Sequence, residues 1–186
     1  ISYAFKEDFE GTSNKVDIES DKWTNITVAG SNKWQGYLFG GNLYANISAY
    51  KHNDDLDAYL VSKKIAIEQN MLLTFDALYA NYVATGGKVS VLVYKDLDEV
   101  TAETLAAATP DDITSQFTIP TSTSSSGDFE NAGDVDLSSY AGQEIRIAFR
   151  YVGNGANGAT STIRIDNVAI KTPGKNIYSI VNSLYE

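Results

Sequence analysis

The chain has no cysteine, which excludes disulfides, thiolate zinc centres and cysteine nucleophiles. It has one histidine, His52, so multi-histidine metal centres are excluded and a Ser-His-Asp triad is a poor basis for function. No apolar run approaches the ~18 residues of a membrane span, and no signal peptide is recognisable. Direct membrane insertion by this chain is therefore not expected. Opening at Ile1, it reads as a mature or trimmed piece. Basic residues are also in short supply. Lys and Arg number 14 against 24 Asp and Glu, a net charge of −10, which argues against nucleic acid or an anionic membrane as partner. What remains suffices for a folded domain: 186 residues, 43% hydrophobic and 20% charged, can bury a sizeable core.

The negative charge is concentrated. Ten acids lie between Asp96 and Asp136 with no Lys or Arg among them. The same stretch holds Thr121–Gly127, a Ser/Thr/Gly tract without an apolar residue. It reads as a solvated excursion from the core, or as a loop offering carboxylates to a cation.

Elsewhere a two-residue period dominates. In Glu144–Tyr151 the set Ile145, Ile147, Phe149 and Tyr151 faces one way, and Glu144, Arg146 and Arg150 the other. Val89, Val91 and Val93 alternate likewise, as do Met71, Leu73, Phe75, Ala77 and Tyr79. Shorter strands are expected at Tyr3–Phe9, Thr24–Val28, Trp34–Leu38, Ala58–Ser62 and Thr162–Ile170. Strands at this spacing, with 14 Gly and 12 Tyr, predict an all-β antiparallel sandwich. Only Thr101–Ala108 has the composition of a short helix. In the last strand the apolar phase slips by one between Ile165 and Val168, at Asp166-Asn167. Such a slip predicts a β-bulge, and a carboxylate there needs a compensating partner. The sandwich is expected over residues 1–170. Residues 171–186 form a linker with Pro173-Gly174 and a helical tail, which either packs back or opens a further domain.

An ordered set of short motifs carries a family resemblance. Glu7-Asp8-Phe9-Glu10-Gly11, Trp23-Thr24 and Asp57-Ala58-Tyr59-Leu60-Val61-Ser62 resemble landmarks of cleaved-adhesin and choice-of-anchor J domains. Val135-Asp136-Leu137-Ser138-Ser139-Tyr140-Ala141-Gly142-Gln143 resembles the V-D-L-S-x-Y-A-G-x of that group. It leads into Ile147-Ala148-Phe149-Arg150-Tyr151 and Ile165-Asp166-Asn167-Val168. Asp111-Asp112-Ile113-Thr114-Ser115-Gln116-Phe117 is similar to a segment of the DUF5017-type domain of Bacteroidetes surface lipoproteins. The chain departs from the pattern at Tyr59, where tryptophan is common, and lacks the D-G-D-G turn often seen after W-T. The resemblance implies a jelly-roll β-sandwich, concanavalin-like or galactose-binding-like. It also implies an exported protein, tethered as an outer-membrane surface lipoprotein or held in the periplasm, that binds and does not catalyse. An anchor would lie upstream of Ile1. Some relatives bind calcium.

Three kinds of site then compete. A structural Ca²⁺ needs 6–8 oxygen ligands, and Asp8, Glu10, Asp57 and Asp166 are the candidates; the alternative has Asp8 capping a turn and Asp166 paired with Arg164 or Lys6. A glycan needs exposed aromatic faces beside amides and carboxylates. Trp23, Trp34, Tyr37, Tyr44, Tyr50 and Tyr82 are available, and the segment Trp34, Tyr37, Asn42 and Tyr44 is the expected ligand site. Trp34 and Tyr37 fall on opposite faces of a regular strand, so both cannot be exposed platforms unless a loop intervenes. A glycosidase needs two carboxylates ~5–10 Å apart; Asp76 and Glu130 can be named, but nothing singles them out. The expected function is a non-catalytic surface module binding a polysaccharide or a host or cell-surface glycoprotein, with a protein-binding adhesin or structural module as the alternative.

Overall fold

Where large apolar side chains alternate with polar ones, the backbone is extended and each apolar row is buried. A computed structural model describes residues 1–174, 181, 182, 184 and 185. Among them the strands are β1 (Ser2–Glu7), β2 (Val16–Asp17), β3 (Trp23–Ala29), β4 (Gln35–Phe39), β5 (Asn42–Ile47), β6 (Asp55–Ser62) and β7 (Ile65–Ala66). They continue with β8 (Leu72–Ala80), β9 (Lys88–Tyr94), β10 (Asp111–Asp112), β11 (Glu130–Asp136), β12 (Glu144–Asn154) and β13 (Thr162–Thr172). One short helix, α1 (Ala102–Ala107), interrupts the series. The expected helical tail falls largely on residues 175–180, 183 and 186, outside the described residues.

The strands form two antiparallel sheets of a jelly-roll sandwich. A seven-stranded sheet runs β11-β8-β13-β5-β4-β2, with β1 also on β13; a six-stranded sheet runs β10-β9-β12-β6-β3, with β7 on β12. The first and last long strands are neighbours, Glu7 opposite Val168 and Ser2 opposite Thr172.

Aromatic rings fill the space between the sheets. Phe75 meets Phe149 edge-on at 5.1 Å and Phe117 at 4.7 Å. Trp23 lies against Phe5, Phe9 and Phe149. A second apolar cluster covers the outer face of the six-stranded sheet, where Leu97 and Leu105 close over Tyr59, Val61, Leu92 and Tyr94. Leu105 is on α1, whose first turn is capped reciprocally: Thr104 N–H donates to Thr101 Oγ1, and Thr101 N–H donates to Thr104 Oγ1. Such caps stabilise short helices by about 1 kcal/mol. The acidic stretch is therefore not a solvated excursion. Six of its apolar side chains, Leu97, Leu105, Ile113, Phe117, Ala132 and Val135, are buried and tie it down, while most of its acids face water.

The phase slip in the last strand is a bulge. Pairing with β8 shifts between Asp166 and Ala169, and Asn167 takes a left-handed φ of 48°, which asparagine tolerates. The bulge sits where one edge of β13 changes partner. Ile163–Ile165 pairs with β5, and Val168–Thr172 pairs with β1. Five strands went unexpected, the two-residue β2, β7 and β10 and the longer β5 and β11. β5 contains two asparagines, and β11 combines Asn131, Gly133 and two aspartates with one buried valine; neither composition favours a strand. β11 pairs with the distant β8, and β5 lies between its hairpin partner β4 and the distant β13.

Candidate functional site

The two outer faces of the sandwich differ. The outer face of the six-stranded sheet is roofed by α1 and its flanking loops, while that of the seven-stranded sheet holds an open cleft of about 840 Å³. Strand alternation builds its floor. Trp34 points into the core, so Gln35 and Tyr37 point outward. Gln35 is opposite Asn46 on β5, and Asn46 is opposite Arg164 on β13. A row of amide, amide and guanidinium thus crosses three strands, with Tyr37 and Tyr44 paired in the next row.

The walls are loops fixed from below. Ser31–Lys33, Ser48 and Tyr50 line one side; Asn81–Val83 and Thr123 line the other. The buried Tyr151 phenol accepts from Ala49 N–H (3.0 Å) and donates to Ser161 C=O (2.7 Å), and Ser48 Oγ donates to Thr160 C=O. Burial pushes the Tyr151 phenol up to about 12, so it stays a neutral donor. The Ser/Thr tract forms the opposite wall. Ser122 N–H donates to Tyr79 C=O, while Tyr82 and Asn81 N–H donate to the carbonyls of Ser122 and Ser124. The Ser122, Ser124 and Ser126 hydroxyls are hydrogen-bonded within the tract.

Charge in the cleft is sparse: Arg164, Lys33 and Asp17. Asp17 accepts from Gln35 Nε2 at 3.0 Å. The chain has three arginines, and two are fully engaged. Arg146 donates to the carbonyls of Leu97, Ser62 and Asp98. Arg150 grips Asp57 through two bonds of 2.9 and 2.7 Å above the Tyr59 ring. Arg164 lies 5.7 Å from the centre of the Tyr44 ring, and its buried Nε has no partner among the described residues. Burial raises the Tyr44 phenol above its ordinary value, against the pull of Arg164.

The expected ligand residues separate. Tyr37 lines the cleft, with Tyr50 and Tyr82. Trp34 does not: it is 0% exposed and its Nε1–H donates to Ala58 C=O at 3.2 Å, so the expectation of a tryptophan platform is corrected. Tyr44 lies beneath the surface, 4% exposed, covered edge-on by Phe129 at 5.2 Å. Asn42 is outside the lining and donates to Asp166 Oδ2 at 2.9 Å.

The expected metal ligands separate too. Asp57 is in the six-stranded sheet, ion-paired with Arg150, whereas Asp8, Glu10 and Asp166 lie by β1 and β13. Asp8 Oδ1 accepts from Glu10 N–H, and Glu10 Oε2 accepts from Leu43 N–H. Among the described residues no group of three or more acidic, histidine or cysteine side chains is arranged to hold a metal ion. As a set, the four acids do not fit a calcium centre. The alternative partners of Asp166 do not form either, since no ion pair links it to Arg164 or Lys6 among the described residues. Its carboxylate accepts from Asn42 and from Asn167 N–H. Burial pushes it up to about 6, those two bonds oppose the rise, and Glu10 and Asp76 add to it. Asp76 and Glu130, named for a glycosidase pair, are both absent from the cleft lining.

The sequence reading missed Glu7, a buried carboxylate that accepts from Trp23 Nε1–H at 2.7 Å and Phe9 N–H at 2.9 Å. Phe9, at a left-handed φ of 56°, is thereby turned into the core. It also missed Gln35, Asn46, Thr162 and Arg164 as lining residues; their common outward phase was the available signal.

A family model described as "Domain of unknown function (DUF5017)" matches residues 39–183. The fold is similar to the K3 cleaved-adhesin domain of Lys-gingipain from Porphyromonas gingivalis W83, with TM-score 0.58 and 22% identity, covering 92% of this chain and 100% of that one. It is also similar to the K1 cleaved-adhesin domain of the same protein, with TM-score 0.55 and 21% identity, covering 91% of this chain and 98% of that one. No curated protein matches the sequence.

Proposed function

The chain belongs to the DUF5017 family, and from that premise we propose that it is a non-catalytic binding module whose ligand is a glycan held in the cleft of the seven-stranded sheet. One observation carries the reading: the only outer face left unroofed among the described residues holds a cleft lined by Tyr37, Tyr50 and Tyr82 beside Gln35, Asn46 and Asn81. Sugar rings present apolar faces for stacking and hydroxyls at their rims, and this lining offers both kinds of contact. Its volume, about 840 Å³, is within the ~300–1,000 Å³ typical of ligand clefts. The adhesin-like sandwich supports an exported setting, with a polysaccharide or cell-surface glycoprotein as partner and a lipid anchor outside this chain. Among the described residues no helix is long and apolar enough to cross a membrane.

A second reading, a protein-binding adhesin, is favoured by Val16, Leu38 and Phe39. These side chains are exposed at the β2 edge and the β4–β5 hairpin, Phe39 by 79%, and exposed apolar groups at a sheet edge suit a protein partner. The test is a glycan array probed with the parent, Tyr37→Ala and Phe39→Ser, each first checked for an unchanged melting temperature. The glycan reading expects binding that Tyr37→Ala abolishes and Phe39→Ser spares. A blank array beside a protein ligand lost with Phe39→Ser overturns it.

A further inference from the structure

Arg164 is the odd arginine of the three. A guanidinium shut off from water at Nε, with no acceptor, is costly, because an unmet buried donor loses its hydration without replacement. Arg146 and Arg150 show what this fold does with a guanidinium when it serves structure: each has three carbonyls or a bidentate carboxylate. Arg164 instead lies over the Tyr44 ring, in a cleft whose other charged side chains are Lys33 and Asp17. Asp17 is engaged by Gln35, which leaves the cationic side of the cleft open to a ligand.

Resting on the glycan reading, we propose that the cleft selects an acidic sugar, and that Arg164 receives its carboxylate. The geometry fits a carboxylate. The terminal edge of a guanidinium, its two Nη atoms, presents two parallel donors that match a planar carboxylate, and such charge-assisted pairs are about twice as strong as neutral ones. The tyrosine below keeps the guanidinium plane in place, while Asn46 and Gln35 continue the row with amides suited to ring hydroxyls. The net charge of −10 does not forbid an anionic ligand. The lining itself holds two cations, Arg164 and Lys33, against the single acid Asp17, and at physiological salt charges beyond about 8 Å are largely screened, so the local cations dominate at contact.

The test is calorimetric titration of the whole chain with four probes: a galacturonate oligosaccharide, its methyl ester, a sulfated neutral oligosaccharide and a poly-glutamate peptide. The expected result is binding of the acid about tenfold or more tighter than the ester, a step of the size of one charged hydrogen-bond pair, and weakened by salt. Arg164→Gln is expected to weaken the acid far more than the ester and bring their affinity ratio to about one, and Arg164→Lys to restore part of the preference. Equal affinity for acid and ester, or a preference that survives Arg164→Gln, overturns the acidic-sugar inference and leaves the glycan reading standing. Tighter binding of the sulfated probe overturns the carboxylate assignment. Failure of all three sugars beside capture of the peptide overturns the glycan reading itself. Unchanged melting temperatures for both Arg164 variants exclude loss of fold as the cause.

Discussion

Replacing Asp166 with asparagine should stabilise the protein above pH 6. The carboxylate is 3% exposed, and burial holds its pKa at about 6 against an ordinary 3.8. A carboxyl that binds its proton more tightly when folded favours the native state at low pH and loses that advantage as pH rises. Stability therefore falls between about pH 4 and pH 6, and above pH 6 the whole penalty persists. Two pKa units at about 1.4 kcal/mol each set an upper bound near 3 kcal/mol. Water reaching the group past exposed Glu10 and Asn167 trims this to about 2 kcal/mol. Asparagine carries no such penalty. Its Oδ1 can keep the bond from Asn167 N–H, and its amide can donate to Asn42 once that side chain turns over. At roughly 2–4 °C per kcal/mol for this chain length, the melting temperature should rise by about 4–8 °C at pH 8 and barely change at pH 4. The assay is thermal unfolding by circular dichroism at both pH values, with and without EDTA. Destabilisation of Asp166→Asn at pH 8, with a parent weakened by EDTA, would refute the reasoning and return a cation to this carboxylate.

Trp34→Ala should cost about 3–5 kcal/mol, the usual loss for a fully buried aromatic, and lower the melting temperature instead of selectively removing binding; a well-folded variant that merely lost its ligand would contradict the buried placement. Asp57→Ala should cost about 1–2 kcal/mol, since it leaves Arg150 half-buried without its carboxylate. The response of this variant to EDTA in denaturant unfolding should match that of the parent, and a lost response would make Asp57 a metal ligand after all.

Much of the sandwich was legible because period-2 alternation is a local property. In β12 the apolar row Ile145, Ile147, Phe149 and Tyr151 could point only one way. The bulge at Asp166-Asn167 was legible for the same reason, since a break in phase needs no knowledge of the neighbouring strand. What Asp166 bonds to was not legible, because Asn42 lies 124 residues away in sequence. Arg164, two residues from Asp166, was the natural partner on paper, yet it lies over Tyr44. Tyr37 could be placed outward once Trp34 was placed inward. The rest of the cleft could not be foreseen, because its floor sets the β4–β5 hairpin beside β13, which it meets only through long-range pairing. Its far wall is a Ser/Thr tract without any apolar residue to mark its docking. The tract is held by backbone bonds to Tyr79, Asn81 and Tyr82, and backbone bonds leave no signature in side-chain patterning.

The most direct test of the central claim is amide chemical-shift mapping of the ¹⁵N-labelled chain during titration with an oligosaccharide selected from the glycan array. A ligand in the cleft should perturb Gln35–Tyr37, Asn46–Ser48, Asn81–Val83 and Thr162–Arg164 together, and leave the β9–β12–β6 sheet still. Perturbations gathered at the Phe39 hairpin or over α1, with the cleft amides unmoved, would contradict it.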